Sequence, residues 1–138
     1  EGAAEKVAAA LAAEAGFELD AESQKLVEAG QAILKDDSAG CAMCHQFHDA
    51  GSLGAAPNLT GYASRDWIVS MIANPGSEHF YGHLDEESQK MPAFEGRLSE
   101  EVMGHIADWL RGDWDKPKPS APENTDAEST EAEKAEAR

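Results

Sequence analysis

Residues 40–48 read GCAMCHQFH. Cys41 and Cys44 are the only cysteines among 138 residues, and His45 follows the second at once. Three chemistries use such a pair. A structural zinc ion needs four ligands, commonly a second cysteine pair or two histidines. The chain has no second pair; His79 and His83 stand at a workable spacing but lie far downstream, on no clear helix. A redox dithiol needs a βαβ setting and a helix N-terminus to lower a thiol pKa, and no alternating strand pattern occurs. Covalent haem attachment uses all three residues. Two thiols reach the two vinyl groups as thioethers, and the adjacent imidazole reaches the iron from the same side. The pentapeptide alone does not choose among the three, so the flanking sequence must.

Upstream, residues 20–36 predict a helix. Asp20 can cap it, and Leu26, Ala29, Ile33 and Leu34 fall at helical spacing. Gly30 sits mid-helix, where glycine costs about 0.5–1 kcal/mol relative to alanine; that implies close approach by something bulky. Residues 3–15, AAEKVAAALAAEA, have high helix propensity but a thin apolar stripe. Residues 1–19 therefore read as an Ala-rich helical extension or linker.

Downstream, residues 37–64 are loop-like, punctuated by Gly40, Gly51, Gly54, Pro57 and Gly61. RDWIVSMIAN (65–74) predicts a short helix stopped by Pro75-Gly76. Residues 75–98 show no period, and a long loop in a compact domain is usually functional. SEEVMGHIADWLRG (99–112) predicts a helix capped by Ser99 and ended by Gly112, with Val102, Ile106, Trp109 and Leu110 as its buried stripe. From residue 115 the chain has three prolines and no large apolar side chain, the composition of a disordered acidic tail over 115–138. The expected fold is all-α, with one domain over 20–114.

A haem held at His45 needs a sixth ligand. Met43 lies between the cysteines and cannot turn back to the distal face. Met71 and Met103 sit on helices, where methionine is usually core filler. Met91 lies in the long loop, held extended by Pro92. A Met/His site raises the reduction potential relative to bis-His. A loop histidine, His79 or His83, is the rival ligand. His48 and His105 read as exposed or structural.

Charge narrows the partners. The formal net charge is -16, and residues 17–114 hold 17 acids against 6 bases. That excludes nucleic acid, whose phosphates need Lys and Arg, and docking on anionic lipid. It favours redox partners with a basic docking surface. Aromatic residues make up only 7%, so a buried cofactor would help so sparse a core to fold. No apolar run approaches the roughly 20 residues of a membrane span, so any tether lies outside this sequence.

Taken together, these residues resemble class I monohaem c-type cytochromes over about residues 20–112. The likeness runs through Gly30, Cys41-Ala42-Met43-Cys44-His45, Ala56-Pro57-Asn58-Leu59, Asn74-Pro75, Lys90-Met91-Pro92-Ala93-Phe94 and Trp109. It implies a small cytochrome c fold with crossing N- and C-terminal helices and a loop-lined pocket. One haem c would be joined through Cys41 and Cys44, its iron ligated by His45 and Met91. Pro57 would accept the proximal imidazole N–H through its carbonyl, and Arg65 would sit near a haem propionate. Tyr62 and Trp67 would either donate to propionates or simply pack. Gly30 would take the close approach of Trp109. From Gly61 to Trp109 the chain is similar to cytochrome c domains joined to the cytochrome b of bacterial quinol–cytochrome c reductases. The lysine ring of soluble mitochondrial-type cytochromes is missing.

The resemblance implies a one-electron carrier of a respiratory or photosynthetic chain, not an enzyme, matured in the periplasm or an equivalent extracytoplasmic compartment, either free there or held at the membrane by a tether outside the sequence. The alternatives are a haem enzyme or gas- or peroxide-responsive sensor with a labile distal Met91, and an acidic tether domain of a larger complex.

Overall fold

The computed structural model describes residues 2–53, 56–82 and 91–116. Among them the order is α1 (Ala3–Glu14), α2 (Ala21–Lys35), a 3-10 turn (Asp37–Ala39), α3 (Arg65–Ala73) and α4 (Glu100–Arg111). Two isolated bridges, Phe47 with Ala50 and Glu95 with Leu98, are the only β pairing among the described residues. The fold is all-α, as expected. His83, the tail from residue 117, Gly54 and Lys90 lie outside the described residues.

The caps explain the boundaries. Asp20 accepts from the Glu22 and Ser23 amides at 3.1 and 2.7 Å, satisfying donors that the first turn leaves orphaned. α3 is capped by Ser64, which accepts from Trp67 N–H at 3.2 Å. Ser99 caps α4 through Val102 N–H, and Gly112 ends it at φ 71°, a left-handed turn that glycine adopts without strain.

Two helix pairings organise the molecule, α1 on α2 and α3 on α4. The first corrects an expectation. A Cβ on Gly30 would lie 1.9 Å from the Lys6 carbonyl oxygen and 2.8 Å from Ala10 Cβ. The close approach at Gly30 is therefore made by α1 and not by Trp109, which is 69% exposed. Ala9 and Ala10 are buried, and their small side chains let the two backbones meet where an indole would not fit.

The buried stripe of α4 is corrected as well. Met103, Gly104 and Ala107 face inward, whereas Val102, Trp109 and Leu110 are exposed. At Gly104 an added Cβ would lie 2.2 Å from Arg65 Nη2. The end of the α3 arginine side chain thus lies over the glycine face of α4.

The central cluster is Ala10, Leu34, Phe47 and Leu59, with Val7, Leu11 and Cys41 packed against it. It joins α1, α2, the GCAMCH loop and the segment after Pro57. Burying a side chain such as Leu34 or Phe47 contributes roughly 1.5–3 kcal/mol.

Candidate haem-attachment site

The site begins where α2 ends. Asp36 accepts from the Ser38 amide and hydroxyl at 2.8 and 2.7 Å, which winds the 3-10 turn. These bonds, the hydroxyl's first, hold the Asp36 carboxyl below its ordinary pKa. Gly40 at φ 82° then turns the chain into Cys41. The Cys41 carbonyl accepts from both Cys44 N–H (3.2 Å) and His45 N–H (3.0 Å). That single turn sets the two cysteines and the histidine close together. Both thiols are free, Cys41 half-buried and Cys44 exposed.

The loop then doubles back. Phe47 and Ala50 exchange backbone bonds at 2.9 and 3.0 Å, and Phe47 is almost wholly buried. Gly51 lies at φ 71°, where an added Cβ would meet the His45 carbonyl at 2.2 Å. Only glycine closes this loop without displacing the His45 backbone.

A second segment, residues 57–60, lies alongside. His45 Nδ1–H donates to the Pro57 carbonyl at 2.7 Å, because a carbonyl can only accept; this fixes the tautomer and leaves the Nε2 lone pair free to bind a metal. Leu59 N–H donates to the Gln46 carbonyl at 2.8 Å. Asn58 Nδ2 donates to Gln46 Oε1 at 2.9 Å, and Thr60 N–H donates to Asn58 Oδ1 at 2.8 Å. His48 N–H donates to Thr60 Oγ1 at 2.7 Å. Lys35 ties the loop to α2 through Asp49 at 2.7 Å, a hydrogen bond that is the first cause of the lowered Asp49 pKa.

The other predicted residues fall in different places. Trp67 Nε1–H donates to the Asn58 carbonyl at 2.9 Å, and its ring meets Tyr62 and Phe80 edge-on at 5.0 and 5.1 Å. Its one donor is therefore committed to the segment beside Pro57. Arg65 Nε donates to Asp108 Oδ1 at 2.7 Å, and this bond raises the guanidinium pKa further. Met91 is 40% exposed and opens a segment fastened to the end of α3 by Glu95 N–H on the Ala73 carbonyl, 3.1 Å. The His79 carbonyl accepts from Asn58 N–H at 2.8 Å, so the backbone of that rival ligand serves the proximal segment. Among the described residues no group of three or more His, Cys, Asp or Glu is placed to hold a metal ion.

The donor set fits a covalently attached haem: two unpaired thiols and an oriented imidazole on one turn. It does not fit a tetrahedral zinc site. Sequence reasoning missed Glu14, which reaches this loop from α1, and Arg111, which joins three segments. Both act across long sequence separations and leave no local signal.

Over residues 25–110 the chain matches the model of a protein family described as Cytochrome C oxidase, cbb3-type, subunit III. Neither the comparison with curated proteins nor that with solved structures found a match.

Proposed function

The chain belongs to the family of Cytochrome C oxidase, cbb3-type, subunit III, a class I c-type cytochrome family of haem-based electron transfer, and from that premise we propose that it is a one-electron carrier with a single haem c. Cys41 and Cys44 hold the haem, and His45 and Met91 ligate its iron. When bound, the haem supplies a reversible ferric/ferrous couple. The chain's own residues bind and tune it. The observation that carries the reading is the His45–Pro57 hydrogen bond at the end of the two-cysteine turn: it holds the ring in one orientation and raises the basicity of its free nitrogen.

Met91 is favoured as the distal ligand by its place on a loop segment anchored to the end of α3, ahead of Pro92, which biases it away from helix. Arg65 and Tyr62 serve as propionate partners; Arg65 keeps N–H groups beyond those spent on Asp108. With both axial positions filled by protein, the site carries electrons and does not act as an enzyme. The acidic surface docks on a basic redox partner, and salt weakens the encounter. Extracytoplasmic maturation suits a chain whose only cysteines are taken up by haem. No helix among the described residues is long and apolar enough to cross a membrane.

The test is haem content together with the ferric spectrum. Expected are one haem per chain, resistant to acid-acetone extraction, and a weak methionine-to-iron band at the red end. Met91→Ala loses that band and lowers the midpoint potential. Rapid carbon monoxide binding by the reduced wild type would overturn the Met91 assignment in favour of an open, sensor-like site.

A further inference from the structure

α1 lies wholly outside the family-matched residues 25–110, yet its last residue reaches the haem-attachment loop. Glu14 Oε1 meets His48 Nε2 at 2.7 Å, and Glu14 Oε2 accepts from Gly61 N–H at 2.7 Å. The Glu14 side chain is only 11% exposed. A carboxylate so far from water is costly unless hydrogen-bonded, and here each oxygen has a partner. His48 is held at φ 52°, a conformation uncommon outside glycine, and in it the ring meets α1.

The two partners belong to different segments. His48 is three residues beyond His45, and Gly61 is four beyond Pro57. Between them runs the set of bonds that joins Gln46 and His48 to Asn58, Leu59 and Thr60. The His45–Pro57 bond stands at one end of that set. Glu14 stands at the other, holding both segments through one side chain.

We propose that Glu14 is a positioning residue for the electron-transfer site: it clips the His45 loop to the Pro57–Gly61 segment and so keeps the Pro57 carbonyl on His45 Nδ1. The inference rests on the function proposed above and deepens it. With the clip open, the His45–Pro57 bond weakens and the imidazole becomes a poorer donor. The ferric state then loses stabilisation and the midpoint potential rises.

The test uses the full haem-loaded chain as wild type, Glu14→Ala, Glu14→Gln and Val7→Ala, and reads the midpoint potential and amide exchange at Gly61. Glu14→Ala is expected to raise the midpoint and to speed Gly61 exchange by at least about tenfold, the loss of one hydrogen bond to a charged group. Glu14→Gln restores both, since its amide oxygen accepts from Gly61 and its NH2 can donate to His48 Nε2 in the Nδ1–H tautomer. Val7→Ala trims the α1 packing but leaves both Glu14 hydrogen bonds in place; it lowers the melting temperature and shifts the midpoint clearly less than Glu14→Ala does. An unshifted midpoint in Glu14→Ala overturns the proposal, and so does an equal shift in Val7→Ala. Should Glu14→Ala not load haem, His48→Asn, which opens one arm of the clip, is held to the same standard. A wild type without covalent haem would instead sink the electron-transfer reading. Unchanged Gly61 exchange in haem-free Glu14→Ala would then still reject the clip on its own.

Discussion

Pro57 and His45 meet through a single hydrogen bond of 2.7 Å, carbonyl to Nδ1–H, between segments twelve residues apart. The bond depends on its surroundings. Asn58, next to Pro57, bonds Gln46 through its side chain, Thr60 through its Oδ1 and Trp67 through its carbonyl. The orientation of the His45 imidazole is thus set by a bridging asparagine and an indole, neither of which touches the ring itself.

Asn58→Ala should therefore act on the haem without touching it. Two hydrogen bonds are lost, at about 0.5–1.5 kcal/mol each. The expected outcome is a lower melting temperature and a raised midpoint potential, read by thermal denaturation and spectroelectrochemistry. A stability loss with no shift in potential would mean that Pro57 is held in place without Asn58.

Gly30→Ala tests the α1–α2 contact. The new methyl would meet the Lys6 carbonyl and Ala10, and overpacking of this kind costs typically 1–3 kcal/mol. Because alanine favours a helix over glycine by about 0.5–1 kcal/mol, a net loss of stability can only come from the crowded contact. Circular dichroism melts of wild type and variant decide it; equal or greater stability in the variant would place α1 elsewhere.

Arg111→Lys should cost about 2–3 kcal/mol. The guanidinium donates to the Ala15 and Ala63 carbonyls and to Asp113, and it lies over the Phe17 ring at 4.7 Å. An ammonium reproduces the charge but not the planar fork. Chemical denaturation measures the loss, and a fall below about 0.5 kcal/mol would show that charge alone suffices.

Acid should unfold the protein late. The Ser23 amide first of all, with the Ser23 hydroxyl and the Glu22 amide, lowers the Asp20 pKa; Lys116, then Arg111, lowers that of Asp113. A folded pKa below the unfolded value contributes stability above about pH 4, lost as pH falls through the folded pKa. Stability should be flat from pH 5 to 7 as far as these groups are concerned, and decline below pH 4. Asp20→Asn, which keeps the cap but not the charge, should flatten part of that decline; an unaltered acid limb would remove Asp20 from the account.

Much of this was legible in the sequence because it is local. The four helices end within a residue or two of their caps and glycines, and Cys41, Cys44 and His45 announce themselves by spacing. Pairing between elements was not legible. Gly30 signalled a close neighbour but not which one, since an alanine face and an aromatic knob both satisfy a missing Cβ. The stripe on α4 was misread because the face turned inward is Met103, Gly104 and Ala107, two of them too small to stand out against Val102, Trp109 and Leu110. The partner of Trp67 was not legible either: its indole N–H donates to the Asn58 carbonyl, nine residues back along the chain. Glu14 gave no hint, as its partners lie 34 and 47 residues away.

The cover that α1 provides has a practical consequence for anyone producing the domain. Trimming the chain to the family-matched residues would strip Val7, Ala10 and Leu11 from Leu34, Phe47 and Leu59. A greasy surface would then open beside the Cys41 thiol before any haem had been attached. An exposed apolar face is an aggregation liability, and two unprotected thiols beside it are open to disulfide cross-linking in place of haem attachment. A colourless preparation of such a fragment would report a failure of biogenesis and carry no information about the iron ligands.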